Sequence, residues 1–91
     1  MRFQDALFNW MQIQCVVEAR PDDEAARKTE QFFMEILTED HQLSQVEITN
    51  VDDTFVHVQY VKEGKSKLQM FEREAVYQLL SEIEANPKYA Q

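Results

Sequence analysis

The spacing of apolar residues changes twice along this chain of 91 residues, and that change limits the possible folds more than any other feature. Apolar side chains recur three and four positions apart in residues 21–38 and 73–85, as one face of a helix requires. Between residues 45 and 71 the interval falls to two, which is typical of strands with one apolar face. The pattern predicts one domain, 1–91, in which helices precede and follow a small antiparallel sheet along the sequence.

Two helices are indicated by more than periodicity. Val76, Leu79, Leu80 and Ile83 share one face of residues 73–85, and Asn86-Pro87 ends that helix. The other helix is predicted to begin at Pro21, which suits a first turn, and to run to about Thr38. Its apolar stripe consists of Ala25, Thr29, Phe32, Phe33, Ile36 and Leu37.

The first segment permits two interpretations. Its apolar residues cover more than half of a helical wheel, so a helix through about Glu18 would need cover from two layers or from a dimer partner. The helix is the preferred interpretation, and alternation from Met11 to Val17 supports a competing one, a short helix followed by a strand.

Three short strands follow from the alternating region. Their apolar positions are Val46 and Ile48, then Val56, Val58 and Tyr60, then Leu68 and Met70. We therefore predict an α+β fold of two layers in the order α-α-β-β-β-α, with a three-stranded antiparallel meander packed on helices.

The turns are predicted from the requirement that apolar rows share one face. A turn at residues 51–53 aligns Ile48 with Val56. For the second hairpin we predict a three-residue turn, 62–64, because the two-residue alternative, 63–64, would set Val58 opposite Gln69.

The three-residue turn also explains where the single glycine of the chain is needed. Gly64 would take a left-handed backbone with positive φ at the last turn position, which glycine adopts without steric cost.

The sheet face turned away from this apolar row carries the most specific candidate for ligand binding. In the predicted register His57 lies between Glu47 and Gln69, with Phe55 and Phe71 nearby. An imidazole beside a carboxylate can transfer a proton or bind a small molecule. The alternative is that His57 is a solvated strand residue and that the two phenylalanines pack under the first helix.

No other constellation predicts chemistry. Cys15 has no adjacent base and is expected to be a buried, inert thiol. Glu39-Asp40-His41 lacks the spacing with which a helix or strand presents metal ligands, so we expect no metal site, no cofactor and no catalytic residue there.

Four residues are candidates for an interface. Met34 and Tyr77 fall outside the apolar stripes of their helices, and Phe8 and Trp10 belong to the broad first helix. Together they favour a protein partner, with homodimer formation as the leading case.

The charge of the chain limits the classes of partner that it is expected to bind. Seventeen acidic residues against nine basic ones give a net charge of −8, and half of it lies in residues 20–41, where three bases face seven acids. We expect no binding to nucleic acid and none to membranes, since the longest uncharged run is only Ala6 to Val17. A lone cysteine and the lack of a recognisable export signal favour the cytoplasm.

Several short strings resemble a group of small uncharacterised cytosolic proteins from Gram-positive bacteria. They are Phe8-Asn9-Trp10, Arg20-Pro21-Asp22-Asp23, Phe32-Phe33, Glu39-Asp40-His41 and Asn86-Pro87-Lys88-Tyr89. No activity follows from this resemblance.

The leading prediction is a non-enzymatic protein-interaction or regulatory domain, homodimeric and cytoplasmic. One alternative is a small-molecule-binding or catalytic module that uses His57 and Glu47. Another is an acidic mimic of nucleic acid that binds a basic partner.

Overall fold

A computed structural model describes residues 1–85 and shows the α+β order α-α-β-β-β-α. The predicted strings that include residues 86–89 lie outside the described part. The helices are α1 (Phe3–Ala19), α2 (Glu24–Glu35) and α3 (Arg73–Ala85), and the strands are β1 (Leu43–Val51), β2 (Phe55–Lys62) and β3 (Lys65–Glu72). The strands form one antiparallel sheet in the order β1-β2-β3.

The first segment is a continuous helix, which resolves the ambiguity between helix and strand at residues 11–18. Helix α1 contacts both α2 and α3, and its residues Leu7 and Met11 share one buried cluster with Val56 and Val58 of the sheet. Its broad apolar surface is thus covered within the chain. Its fully or nearly buried residues are Ala6, Leu7, Trp10, Met11, Ile13, Cys15 and Val16.

Helix α2 begins later than predicted. Pro21 lies in a turn, and Asp23 is the N-cap, whose carboxylate accepts a hydrogen bond from the Ala26 amide at 3.0 Å. Asp23 supplies an acceptor that Pro21 lacks, which explains the shift. A π-helical turn, Ile36–Asp40, prolongs the helix, with the His41 amide donating to the Ile36 carbonyl.

The buried face of α2 is also rotated from the predicted one. Ala26 is buried, whereas Ala25 is exposed and Phe32 is 56% exposed. Phe33 packs against both core clusters. The predicted positions Ala25 and Phe32 are therefore wrong as core residues.

The first hairpin keeps the predicted apolar face but not the predicted register. Ile48 lies opposite Val58 rather than Val56, and Val46 lies opposite Tyr60. The offset is two residues, so the same side chains still point inward. Irregularities at 43–45 and 48–50 interrupt the ladder along β1.

The second hairpin overturns the predicted three-residue turn. Lys62 pairs with Lys65, so the turn is the two-residue Glu63-Gly64, with φ of +54° and +77°. Positive φ at both positions matches the twist of adjoining strands. The predicted positive φ of Gly64 is confirmed.

With this turn, each side chain of β3 lies on the face opposite to the predicted one. Gln69 now lies opposite Val58, and Leu68 and Met70 point away from the helices. Leu68 is 61% exposed and Met70 is 56% exposed, so their assignment to the core was wrong.

Helix α3 occupies the predicted residues. Val76 and Leu80 are buried, while Leu79 and Ile83 pack at the edge of the cluster that joins α1, α2 and α3. Gln12 of α1 also donates a hydrogen bond to the Ala75 carbonyl at 3.3 Å.

Candidate functional site

The predicted neighbours of His57 do not surround it. Asn50 and Met70 lie opposite His57, whereas Glu47 lies opposite Gln59. The carboxylate that reaches the imidazole belongs to Asp52, with 2.9 Å between its Oδ2 and His57 Nε2. Because the predicted register of β1 and β2 was wrong by two residues, Asp52 was not identified as the partner of His57.

Asp52 stabilises the loop between β1 and β2. Its Oδ1 accepts hydrogen bonds from the amides of Thr54 at 2.8 Å and Phe55 at 2.6 Å. The hydrogen bond from His57, followed by those from the two amides, lowers the pKa of Asp52 to about 2. The exposed carboxylate therefore caps the loop through Oδ1 and pairs with His57 through Oδ2.

The other predicted ligand-binding residues are separated between two faces of the sheet. Gln69 lies on the helix-facing side, where it donates a hydrogen bond to the Tyr60 hydroxyl at 2.6 Å. Phe71 lies on the same side, and its ring is 5.9 Å from that of Phe8. Phe55 and Glu47 lie on the opposite face, on different strands.

The four predicted interface residues make contacts within the chain. Trp10 is 3% exposed, and its indole nitrogen donates to Glu30 Oε2 at 2.7 Å. Phe8, Met34 and Tyr77 are half-buried against the core. Most of the surface of these four side chains is therefore buried by contacts within the chain.

Cys15 lies beside Tyr77 in the core. Burial raises the pKa of the Cys15 thiol, an effect that the hydrogen bond with Tyr77 opposes only in part. Burial likewise raises the pKa of the Tyr77 hydroxyl. A protonated, buried thiol is a poor nucleophile, so the pair contributes packing and not catalysis.

Sequence reasoning missed the apolar part of the outer face of β2 and β3, by which we mean the side of these strands turned away from the helices. Leu68 and Met70 project from it beside Gln59 and His57, and Val61 lies half-buried on the same face. The Glu63-Gly64 dipeptide was the available signal, since a glycine in second position favours a two-residue turn.

Charged residues lie at both ends of β3, although Lys67 is on the helix-facing side and Glu72 is on the outer face. Lys65 and Lys67 lie at the hairpin end, and Glu72 and Glu74 lie where β3 passes into α3. Arg73, between the two glutamates, holds its guanidinium over the Tyr77 ring at 5.1 Å. The strand therefore has a basic end and an acidic end, with apolar residues between them.

Metal ligands do not converge within residues 1–85, where no group of three or more His, Cys, Asp or Glu side chains could hold an ion. None of the helices in that region combines the length and apolar character needed to cross a membrane.

Comparison with known proteins assigns neither a family nor a function. Neither a family model, nor a curated protein, nor a solved structure matches the chain.

Proposed function

We propose that this chain is a non-enzymatic protein-interaction domain that forms a homodimer through its exposed edge strand, β3. The observation that carries the proposal is the exposure of Leu68 and Met70, two neighbouring apolar side chains of one edge strand, at 61% and 56%. Adjacent exposed apolar residues on a folded domain mark surfaces that a protein partner covers.

The choice of a second copy rests on charge. A basic and an acidic end on the same strand complement each other when two copies of that strand run in opposite directions. The net charge of −8 opposes binding to nucleic acid, which needs positive charge to neutralise phosphates.

A cytosolic location accompanies the proposal. The single cysteine of the sequence is a buried thiol without a disulfide partner, as is usual in a reducing compartment.

Sedimentation equilibrium over a range of protein concentrations tests the proposal. We expect the wild-type chain to sediment as a dimer and the double variant Leu68→Ser/Met70→Ser to sediment as a monomer. The same double variant should melt near the wild-type temperature at low concentration, because both side chains are exposed.

Phe32→Ser is the matched control, since Phe32 is 56% exposed but lies on α2. This variant should remain dimeric. A monomeric wild-type chain at every concentration, or a double variant that dimerises like wild type, would refute the proposal.

A further inference from the structure

The two edges of the sheet differ in their ability to accept another strand. Strand β3 pairs with β2 in unbroken register over all eight of its residues, and six of them are exposed. Strand β1 is interrupted at 43–45 and 48–50. Bulges disfavour the addition of a strand, whereas a regular edge presents a row of amides and carbonyls that can pair.

Pairing of β3 with its own copy is limited by geometry. If two copies form one continuous sheet about a two-fold axis, paired residues must point to the same side of the sheet. One residue of β3 must then lie directly opposite the same residue of the second copy, with the two-fold axis between them. This leaves only a few registers for an eight-residue strand.

A register centred on Gln69 places the apolar residues together. Leu68 then lies opposite the second copy's Met70, and Met70 lies opposite the second copy's Leu68, so that four exposed apolar side chains form one cluster. Ser66 lies opposite the second copy's Glu72. A register centred on Leu68 would instead place each Met70 opposite a serine.

The charges favour the same antiparallel direction. The hairpin end of one copy, which carries Lys65 and Lys67, lies beside the end of the other copy's β3 that carries Glu72 and Glu74. The attraction acts between these ends as a whole, because Lys67 lies directly opposite Phe71 and Glu72 lies directly opposite Ser66 in this register. A parallel arrangement would place lysine beside lysine and glutamate beside glutamate, which is unfavourable.

We propose that two copies of the chain join edge to edge through antiparallel β3 strands centred on Gln69, which gives a continuous six-stranded sheet. This inference rests on the proposed function, because it specifies how the homodimer through β3 is built. Backbone hydrogen bonds supply attraction along the edge, and the Leu68–Met70 cluster sets the register.

Oxidative cross-linking distinguishes this arrangement from face-to-face stacking. In a Cys15→Ala background, Gln69→Cys places two thiols across the axis at the separation that a disulfide requires. Gln59→Cys is the matched control, since Gln59 lies on the outer face of the central strand and would be cross-linked only if the faces stacked.

We expect covalent dimers from Gln69→Cys and none from Gln59→Cys, with both variants folded by circular dichroism. Covalent dimers from Gln59→Cys alone, or from neither variant while wild type sediments as a dimer, would overturn the edge-to-edge arrangement and leave the homodimer intact. A monomeric wild-type chain would instead refute the proposed function itself.

Charge reversal provides a second readout. Lys67→Glu and Glu72→Lys should each weaken the dimer modestly, because each reduces the charge difference between the two ends of β3. Tighter dimers from both variants would contradict the antiparallel direction.

Discussion

Trp10 donates its indole hydrogen to the Glu30 carboxylate at 2.7 Å and thereby joins α1 to α2. The donor is almost fully buried, so water cannot readily replace the glutamate. We expect Glu30→Ala to lower the free energy of unfolding by about 1–3 kcal/mol, because a buried N–H loses its acceptor. Urea denaturation measures this difference. Glu35→Ala, at an exposed site of the same helix, should change it by less than about 0.5 kcal/mol, and equal losses would assign no special value to the Trp10–Glu30 bond.

Substitutions at the two positions of the Glu63-Gly64 turn should change the stability of the domain in opposite directions. Glu63 has a φ of +54°, which is unfavourable for most side chains, so Glu63→Asn should stabilise the domain by about 0.5–1 kcal/mol. Gly64→Ala should destabilise it by about 1 kcal/mol through backbone strain alone, since a Cβ at residue 64 would meet no atom within 4 Å. Thermal melting at fixed protein concentration measures both variants. A stabilised Gly64→Ala variant would contradict the left-handed turn.

Asp52 makes stability depend on pH in the acid range. Because its pKa falls from 3.8 to about 2 on folding, the folded chain holds fewer protons than the unfolded chain between those values. The stabilisation is complete above about pH 4 and is lost as the pH falls toward 2. We expect Asp52→Asn to be less stable than wild type at pH 7 and the difference to shrink below pH 4. Urea titrations at several pH values measure this, with Asp53→Asn from the same exposed loop as the control.

Adjacent phenylalanines on α2 should respond differently to truncation. Phe33 packs against both core clusters, and Phe33→Ala should cost about 3 kcal/mol. Phe32 is 56% exposed, so Phe32→Ala should cost less than about 1 kcal/mol, mostly from its ring contact with Phe33. Chemical denaturation of the two variants compares the costs. A larger loss from Phe32→Ala would contradict the observed face of α2.

Cys15 should be protected from thiol reagents in the folded chain. It is 2% exposed, and burial raises its pKa, so the thiolate is scarce at neutral pH. We expect a chromogenic disulfide reagent to react with Cys15 only slowly in buffer and rapidly in urea. Stoichiometric reaction within minutes in buffer would show that the site opens readily.

The elements of the fold could be predicted because each depends on local periodicity. The order of helices and strands and the span of α3 follow from spacing within a single segment. The start of α2 needed the side-chain cap from Asp23, which competes with the preference of Pro21 for a first turn.

The orientation of β3 could not be predicted by assigning every apolar row to the core. That reasoning rejected the two-residue turn because it placed Gln69 inward, but the Tyr60 hydroxyl accepts the hydrogen bond that Gln69 needs there. A polar side chain with a partner is tolerated on an inner face. Turn geometry therefore determined the register, and Leu68 and Met70 became exposed.

The apolar residues of the candidate surface were missed for the same reason. Residues that define a core and residues that define an interface are equally apolar, and only the register of β3 separates them. His57 illustrates the converse, because its carboxylate partner, Asp52, comes from the adjoining loop and not from the predicted neighbouring strand.

The central position of α1 has a consequence for how the domain is made. Gln12 reaches the carbonyl of Ala75, 63 residues further along the chain, and Leu7 and Met11 share their cluster with Val56, Val58 and Val76. During synthesis α1 emerges before β2 and α3, which supply part of its cover. We therefore expect the apolar surface of α1 that faces these later elements to favour aggregation or chaperone binding until they are available.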